Sequence, residues 1–189
     1  MATEDAKYFI AIVPDKALYN EIHALKETIG ASYRTKGALR SPPHITLHMP
    51  FLWSEAKEQR LASSLRDFAA AHGPVSITLN GYSCFPPRVV FLAVEDNDAL
   101  TKLQHELFRF CKIELNLFNA NYQDRPFHPH ITLAFRDLRK DQFKLLWQEV
   151  EKKTFNASFV ADAITLLKHD GHRWLEHDRF ALGNPLHSS

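Results

Sequence analysis

Cysteine is scarce in this chain, and together with a nearly balanced charge this shortage excludes several classes of protein. Only Cys84 and Cys111 occur, and they do not form a Cys-x-x-Cys pair. Neither a disulfide framework nor a thiolate zinc site is therefore expected. The formal net charge is only +1, so the protein lacks the overall positive charge that favours nonspecific binding to a long nucleic-acid duplex. Any contact with nucleic acid should be local and short.

Long apolar runs are also missing. Residues 1–7 are polar and partly acidic, and no segment approaches the roughly 20 apolar residues that are needed to cross a bilayer. These features predict a cytoplasmic protein without membrane contact. Apolar residues make up 45% of the 189 positions, which is enough for one sizeable core. Residues 1–189 are therefore expected to form one domain, acting as a monomer.

The chain instead contains an internal duplication. The sequence Pro-His-Ile-Thr-Leu at Pro43 to Leu47 recurs unchanged at Pro129 to Leu133. Upstream of the motifs, Phe9 to Val13 resembles Phe91 to Val94. Because the unit is repeated, any functional interpretation of the motif must account for both copies together.

Two similar halves follow from this duplication, at about residues 7–94 and 89–182, with a shared central strand. Apolar periodicity and turn residues predict the same element types in both. Strands are predicted at Tyr8 to Val13, Val75 to Phe85, Val89 to Val94, Phe159 to Lys168 and Trp174 to Leu182, and helices at Lys16 to Ile29, Ser54 to Ala71, from about Asp98, and Asp141 to Glu151.

Local signals support these boundaries. Gly30 is a helix stop signal, Ser54 and Asp141 are candidate N-caps, and Asp170-Gly171 is typical of a hairpin turn. The predicted fold is α+β and bilobal, with two lobes related by a pseudo-twofold axis. Each lobe has an antiparallel sheet flanked by helices, and the two His-x-Thr motifs lie in the central cleft.

The position of histidine and threonine two residues apart on a strand is chemically informative. Successive side chains of a strand alternate between faces, so His44 and Thr46 point one way while Ile45 points into the core. The same holds for His130 and Thr132. A pseudo-twofold arrangement would bring two imidazoles and two hydroxyls together over a volume the size of a phosphate.

Such a set of side chains suits displacement at phosphorus. A base must take a proton from the attacking oxygen and an acid must protonate the departing one, and each contributes about 10²- to 10⁴-fold. Histidine can hold either role near neutral pH. Hydroxyl donors such as Thr46 and Thr132 can stabilise the charge that grows on the nonbridging oxygens.

An ordinary explanation competes with this one. A single His-x-Thr on a strand is most often a partly exposed pair without a catalytic role, because threonine is a common strand residue. A repeat kept for packing alone would need only its inward isoleucine and leucine. Here the outward histidine and threonine are identical as well, which favours function.

The chain resembles a known family through these motifs and their surroundings. The residues that carry the resemblance are the two His-x-Thr motifs, the strand at Tyr8 to Ile12, the segment Phe85 to Val90, and Phe127 to Ala134. Together they resemble the two-histidine phosphoesterase superfamily, and within it the bacterial 2'-5' RNA ligase-like group, also described as RNA 2',3'-cyclic phosphodiesterases. The resemblance extends from about Lys7 to Leu182.

The resemblance implies a function in RNA processing. Such enzymes open 2',3'-cyclic phosphates at RNA or oligonucleotide ends to a 2'-phosphate, without a metal or nucleotide cofactor, and some join or cleave 2'-5' linkages. It also implies that His130 activates the water, that His44 protonates the departing 3' oxygen, and that Thr46 and Thr132 hold the phosphate.

Several other residues are candidates for substrate binding. Arg88 and Arg125, with Arg34 and Arg40, lie in loops near the motif strands and could clamp flanking phosphates. Many relatives carry a basic residue close behind the second motif, whereas here Ala134 and Phe135 come before Arg136. By strand alternation Arg136 shares the face of His130 and could approach the rim of the cleft. Solvated loop arginines are an equally good explanation.

Phe85 and Phe127 could stack a base at the cleft, although core packing is the more frequent role of such rings. Eleven histidines invite a metal hypothesis, and His128 with His130 could in principle chelate an ion. No Asp or Glu accompanies these histidines, so no metal is predicted.

Two further functions stay open. The cleft could serve a noncatalytic RNA-end or nucleotide-binding module. It could also apply the same chemistry to a small cyclic nucleotide or to 2'-5' oligoadenylates, since the loops carry no recognisable code for the substrate.

Overall fold

The computed structural model describes residues 4–118 and 126–183. Within them the strands are β1 (Asp5–Ile12), β2 (Ile45–Ser54), β3 (Val75–Phe85), β4 (Val89–Val94), β5 (His130–Ala134), β6 (Asn156–Ala161), β7 (Ala163–His169) and β8 (Trp174–Ala181). The α-helices are α1 (Lys16–Tyr33), α2 (Glu58–Ala70), α3 (Asp98–Glu114) and α4 (Lys140–Val150), and short 3₁₀ helices lie at Gly37–Arg40 and Glu55–Lys57.

All strands belong to one antiparallel sheet in the order β6-β3-β4-β5-β2-β1-β7-β8. The first lobe consists of β2, β1, β7 and β8, and the second lobe consists of β5, β4, β3 and β6. The lobes meet where β2 pairs with β5 through Ile45 and Ile131. Read outwards from this junction, the duplicated segments occupy matching positions. The predicted α+β fold with two antiparallel lobes is confirmed.

Helices cover one face of this sheet because both motif strands present an apolar side to them. Ile45, Leu47, Ile131 and Leu133 are almost completely buried in one core cluster, as strand alternation predicts. Helix α1 packs against β5, and α3 packs against β2. Each motif strand is thus supported by the helix of the other sequence half, and its opposite face is left for the cleft.

One predicted strand is divided between the lobes. The segment Phe159 to Lys168 was expected to be continuous, but it breaks at Asp162 into β6 and β7. Strand β6 pairs with β3 in the second lobe, whereas β7 pairs with β1 in the first. Because one residue joins an edge strand to a strand in the other lobe, the sheet must curl.

Two of the predicted helix signals, Gly30 and Asp141, were wrong. Gly30 does not end α1, which continues to Tyr33 and is closed by Arg34 in the left-handed region with φ 52°. A Cβ on Gly30 would lie 2.8 Å from the Thr35 carbonyl oxygen, so this glycine serves close packing. Ser54 ends β2 and also occupies the N-cap position of the 3₁₀ helix Glu55–Lys57 that leads into α2, although its side chain makes no cap hydrogen bond. Asp141 lies inside the first turn of α4 instead of capping it.

Other elements agree with the sequence. Helix α3 begins at Asp98, and its cap is Asn97, whose side chain accepts from the backbone N–H of Leu100. Hairpins join β3 to β4 and β7 to β8 as predicted. Among the described helices, none combines the length and the apolar character that crossing a membrane requires.

Candidate active site

The two motifs lie side by side at the junction of the lobes. Ile45 and Ile131 are directly opposite each other, so the antiparallel register places His44 opposite Thr132 and Thr46 opposite His130. All four side chains alternate with the buried isoleucines and therefore share the uncovered face. Residues diagonal to each other across such a pair are typically about 7–8 Å apart, which is the relationship between His44 and His130.

Each motif histidine is oriented by the same backbone contact. The Nδ1 atom of His44 lies 2.7 Å from the Pro42 carbonyl oxygen, and Nδ1 of His130 lies 2.8 Å from the His128 carbonyl oxygen. Since a carbonyl oxygen can only accept, Nδ1 must carry the hydrogen in both rings. This leaves Nε2 of each imidazole as the nitrogen that can take up or release a proton.

A phenylalanine from the neighbouring strand packs against each histidine. The ring centroids of Phe9 and His44 are 4.9 Å apart, and those of Phe91 and His130 are 4.7 Å apart. Sequence reasoning aligned these phenylalanines as duplicated strand residues but gave them no place in the site. The signal was present, because Phe9 and Phe91 repeat along with the motifs.

Burial makes both imidazoles weakly basic. It lowers the pKa of His44 to about 4; the positive charges of Lys26 and of protonated His130 act in the same direction, and the hydrogen bond to Pro42 opposes them. Burial also lowers the pKa of His130, with a further lowering from His128 and an opposing effect of the hydrogen bond to the His128 carbonyl. Near neutral pH, both free rings are expected to be mostly uncharged.

The two phenylalanine candidates take different positions. Phe85 is 41% exposed, and its ring centroid lies 5.4 Å from that of His130 and 5.2 Å from that of His128. Phe127 is partly buried and packs against the main core. Of the two, Phe85 is the ring that borders the motif histidines.

The arginine candidates are more dispersed. Arg88 is exposed in the turn between β3 and β4, where its backbone N–H bonds to the Phe85 carbonyl oxygen. Arg136 is exposed with φ 65°, and its guanidinium lies 5.3 Å from the ring centroid of Phe135. Strand β5 ends at Ala134, so the alternation that gave Arg136 its predicted direction stops before it. Arg125 lies outside the described residues.

The remaining polar groups add little to a metal hypothesis. Among residues 4–118 and 126–183, no three His, Cys, Asp or Glu side chains come together as a potential metal site. Arg34 closes α1 and Arg40 ends the first 3₁₀ helix, both exposed. The four motif side chains offer proton transfer by two imidazoles and hydrogen bonding by two hydroxyls.

Comparisons with known proteins agree with this arrangement. A family model described as the 2'-5' RNA ligase superfamily matches residues 14–173. A protein of Oceanobacillus iheyensis that carries the name phosphoesterase is 31% identical over 180 residues, which is 94% of this chain and 98% of the relative. A similarly named protein of Geobacillus kaustophilus is 28% identical, with coverage of 94% and 96%.

Solved structures share the fold. The crystal structure of a Thermus thermophilus protein superposes with a TM-score of 0.67 at 20% identity, covering 94% of this chain and 99% of the other. Escherichia coli LigT, crystallised with 3'-AMP, gives a TM-score of 0.66 at 24% identity, with coverage of 96% and 100%. These likenesses show the fold, and the match of the family model together with the 31% identical relative shows that the chain belongs to the 2'-5' RNA ligase superfamily of two-histidine phosphoesterases.

Proposed function

We propose that this phosphoesterase opens 2',3'-cyclic phosphates at RNA or oligonucleotide ends to a 2'-phosphate, with His44 and His130 as the acid and base pair and without a metal or other cofactor. One observation carries the proposal. The two motif histidines share a face at the lobe junction, and each uses Nδ1 to bind a backbone carbonyl, which leaves Nε2 free for proton transfer.

The proposed reaction is a single displacement at phosphorus. One imidazole takes a proton from water, whose oxygen attacks the phosphorus atom, and the bond from phosphorus to the 3' oxygen breaks. The other imidazole, which is protonated on Nε2 when the anionic phosphate is bound beside it, gives that proton to the departing oxygen. The product carries a 2'-phosphate and a free 3'-hydroxyl, and the two histidines have exchanged protonation states, which solvent restores.

Thr46 and Thr132 would hold the phosphate during this step. Each hydroxyl is on the same face as the imidazoles and lies across the junction from the histidine of the other motif. Donors fixed near the nonbridging oxygens favour the transition state, where the charge on these oxygens is greatest. A hydroxyl can supply this contact without competing for the transferred proton.

The substrate class is inferred from the relatives and the cleft. Escherichia coli LigT has been crystallised with 3'-AMP and with NADP+, which supports a nucleotide-containing ligand for this chain. Phe85 offers an exposed ring beside His130, and base stacking on such rings is sequence-tolerant. Arg88, whose backbone N–H bonds to the Phe85 carbonyl in the adjoining turn, is the residue that we expect to contact a flanking phosphate.

The test is hydrolysis of a nucleoside 2',3'-cyclic phosphate in the presence of EDTA, with the product identified by ³¹P NMR. We expect a 2'-phosphate product, and loss of activity by about 10²-fold or more in His44→Ala and in His130→Ala. His172→Ala is the matched control, because His172 is exposed in the turn between β7 and β8. It should retain full activity.

Three outcomes would contradict the proposal. Activity that disappears with chelator alone would indicate a metal enzyme. Ligand that binds but stays unchanged on long incubation would indicate a binding module. A kcat/KM that is far higher for a small cyclic nucleotide or for 2'-5' oligoadenylate than for an oligonucleotide ending in a 2',3'-cyclic phosphate would reassign the substrate. Incubation with RNA fragments that have a 5'-hydroxyl at one end and a 2',3'-cyclic phosphate at the other tests for 2'-5' joining in the same assay.

A further inference from the structure

A cavity on the first lobe takes no part in the proposed reaction. Its volume is about 480 Å³, which is within the range of small-molecule sites. Its wall comes from β1, β2 and β8 of the first lobe, from the segment after α3, and from the residue that follows the end of β5 in the second lobe. The lining residues that matter below are Lys7, Leu52, Phe118, Arg136 and Trp174.

A row of rings connects this cavity to the candidate active site. Trp174 is partly buried, and its ring packs edge-on against that of Phe9 with centroids 4.7 Å apart. Phe9 in turn packs against His44 at 4.9 Å. Lys7 lies two residues before Phe9 on β1, so the two side chains share a face of the sheet. The cavity is therefore adjacent to the proposed phosphate site, on its first-lobe side.

The second lobe has a similar row of rings. There Phe85 packs against Phe91 at 4.5 Å, and Phe91 packs against His130 at 4.7 Å. Each lobe thus has one partly or fully exposed aromatic ring that is separated from its motif histidine by a single phenylalanine. The proposed function uses Phe85 as a stacking surface, whereas Trp174 has no role in it. Two such surfaces, one on each lobe, suit a ligand with two bases.

The rest of the lining suits a nucleotide better than a purely apolar ligand. Lys7 and Arg136 are exposed cations, and none of the described residues that line the cavity is acidic. The side chains of Leu52 and Phe118 are 57% and 65% exposed, and apolar side chains that remain exposed around a cavity are typical of a binding surface. Cations can hold a phosphate, and aromatic rings can stack a base.

We propose that this cavity binds a second nucleotide of the substrate, with the base against Trp174 and the phosphate between Lys7 and Arg136. The enzyme then holds an oligonucleotide across both lobes, and a mononucleoside cyclic phosphate occupies only the Phe85 side. The role of this second subsite rests on the proposed function. It narrows the substrate class to RNA ends of at least two nucleotides.

The experiment compares kcat/KM for a dinucleotide that ends in a 2',3'-cyclic phosphate with kcat/KM for the corresponding mononucleoside cyclic phosphate. The ratio of the two values measures the effect of the second nucleotide, because a general loss of activity lowers both. We expect the wild type to prefer the dinucleotide by about 5- to 150-fold, and Trp174→Ala to lose most of this preference. Trp174→Phe, which keeps a ring, should retain part of it.

Lys7→Met tests the phosphate contact. The wild type should bind a dinucleotide more tightly than its analogue with an uncharged methylphosphonate linkage, and Lys7→Met should reduce this difference by up to about 5-fold, as for an exposed ion pair. Lys16→Met is the matched control, because Lys16 is exposed at the start of α1 and does not line the cavity. Since Lys7 is exposed as well, its replacement tests the subsite even if Trp174→Ala does not fold.

Calorimetric binding of a dinucleotide and a mononucleotide that both end in a 3'-phosphate separates the subsite from the reaction. If the cyclic phosphate is not hydrolysed, but Trp174→Ala weakens binding of the dinucleotide more than that of the mononucleotide, the proposed reaction is wrong and the subsite is supported. If the wild type hydrolyses both cyclic phosphates equally well, the subsite is rejected and the reaction is supported. An equal loss on both substrates in Trp174→Ala would make Trp174 a support for Phe9 and His44, and would also reject the subsite.

Discussion

The hydroxyl of Thr35 donates a hydrogen bond of 2.6 Å to the Asp137 carboxylate, and this bond joins the loop leading to His44 with the turn that follows β5. The same carboxylate accepts from the backbone N–H groups of Lys36 at 2.8 Å and Gly37 at 3.0 Å. The approach is close, since a Cβ on Gly37 would lie 2.5 Å from the Phe135 carbonyl oxygen. One side chain thus connects the two motif segments.

Replacing Asp137 by alanine should therefore loosen the junction. Three hydrogen bonds to one carboxylate are lost, and because Asp137 is exposed we expect only about 1–2 kcal/mol lower free energy of unfolding. These hydrogen bonds also lower the pKa of Asp137, against the opposing effect of partial burial. The contribution of the Asp137 carboxylate to the free energy of unfolding is therefore complete above its unfolded-state pKa, and it is lost as the pH falls through the folded-state pKa.

Urea unfolding of Asp137→Ala at pH 7 and at low pH checks both statements. Asp96→Ala is the control, because Asp96 is exposed and its side chain has no hydrogen bond to any described residue. The difference between Asp137→Ala and the wild type should shrink as the pH is lowered. A difference that stays constant with pH would mean that the carboxylate charge has no part in the connection.

A second network stabilises the outer end of the first lobe. Glu58, at the start of α2, accepts from the Tyr8 hydroxyl, from Lys168 Nζ at 2.8 Å and from His177 Nε2 at 2.9 Å. Partial burial alone would raise the pKa of Glu58, but the hydrogen bonds from Lys168, Tyr8 and His177 outweigh it and lower the pKa to about 2.

Glu58→Gln should destabilise the protein by about 2 kcal/mol at pH 7, since the carboxylate charge is favoured in the folded state. A lowered folded-state pKa means that this stability is complete above pH 4.5 and declines towards about pH 2. Thermal unfolding of the two proteins at several pH values should therefore converge in acid.

Glu149→Gln provides the comparison for this prediction. Glu149 also accepts from a tyrosine, Tyr33, and from a lysine, Lys153, but its side chain is 50% exposed. Exposed pairs contribute about 0–1 kcal/mol, so this variant should stay close to the wild type. Equal losses in both variants would show that burial does not distinguish the two networks.

The sequence predicted the motif strands well because their pattern is local and duplicated. The alternation of side chains along a strand predicts that Ile45 and Ile131 face the core and that the histidines lie on the open face. Both placements follow from backbone geometry alone. The pairing of the two isoleucines could be expected only through the assumed pseudo-twofold. Which carbonyl each Nδ1 would meet depends on loop conformation, and the sequence does not determine it.

The misplaced boundaries have tertiary causes. The helix predicted from Ser54 begins as a 3₁₀ turn, and α2 starts only at Glu58, because Ser54 still pairs with Asp5 at the end of β2. The strand breaks at Asp162 because its two parts pair with different strands, β6 with β3 and β7 with β1. The Asp162 carbonyl accepts from the backbone N–H of Leu182. The burial of Lys26 had no local signal, because a lysine on an amphipathic helix is usually solvated, whereas this one is buried and its Nζ donates a hydrogen bond to the distant Ser41 carbonyl.

The motif threonines give a third prediction. Thr46→Val and Thr132→Val preserve the β-branched shape on the strand, so the fold should persist. Loss of one phosphate-binding hydroxyl should lower kcat by about 10²-fold, with a smaller change in KM. Steady-state kinetics on a cyclic phosphate, with circular dichroism as the folding check, measures both. Thr28→Val on α1 is the control, since that hydroxyl is exposed and bonds only to the Ala24 carbonyl among the described groups.

The contrast between Phe85 and Phe127 gives the last prediction. Phe85 is 41% exposed next to His130 and His128, whereas Phe127 is partly buried against the core. If a base stacks on Phe85, Phe85→Ala should lose about 1–3 kcal/mol of binding, which raises KM by about 5- to 150-fold, while the free energy of unfolding changes little. Phe127→Ala should do the reverse and lower stability through the cavity it leaves. Measuring KM and urea unfolding for both variants separates the two roles, and a Phe85→Ala protein with unchanged KM for a dinucleotide would remove the stacking platform from the proposed site.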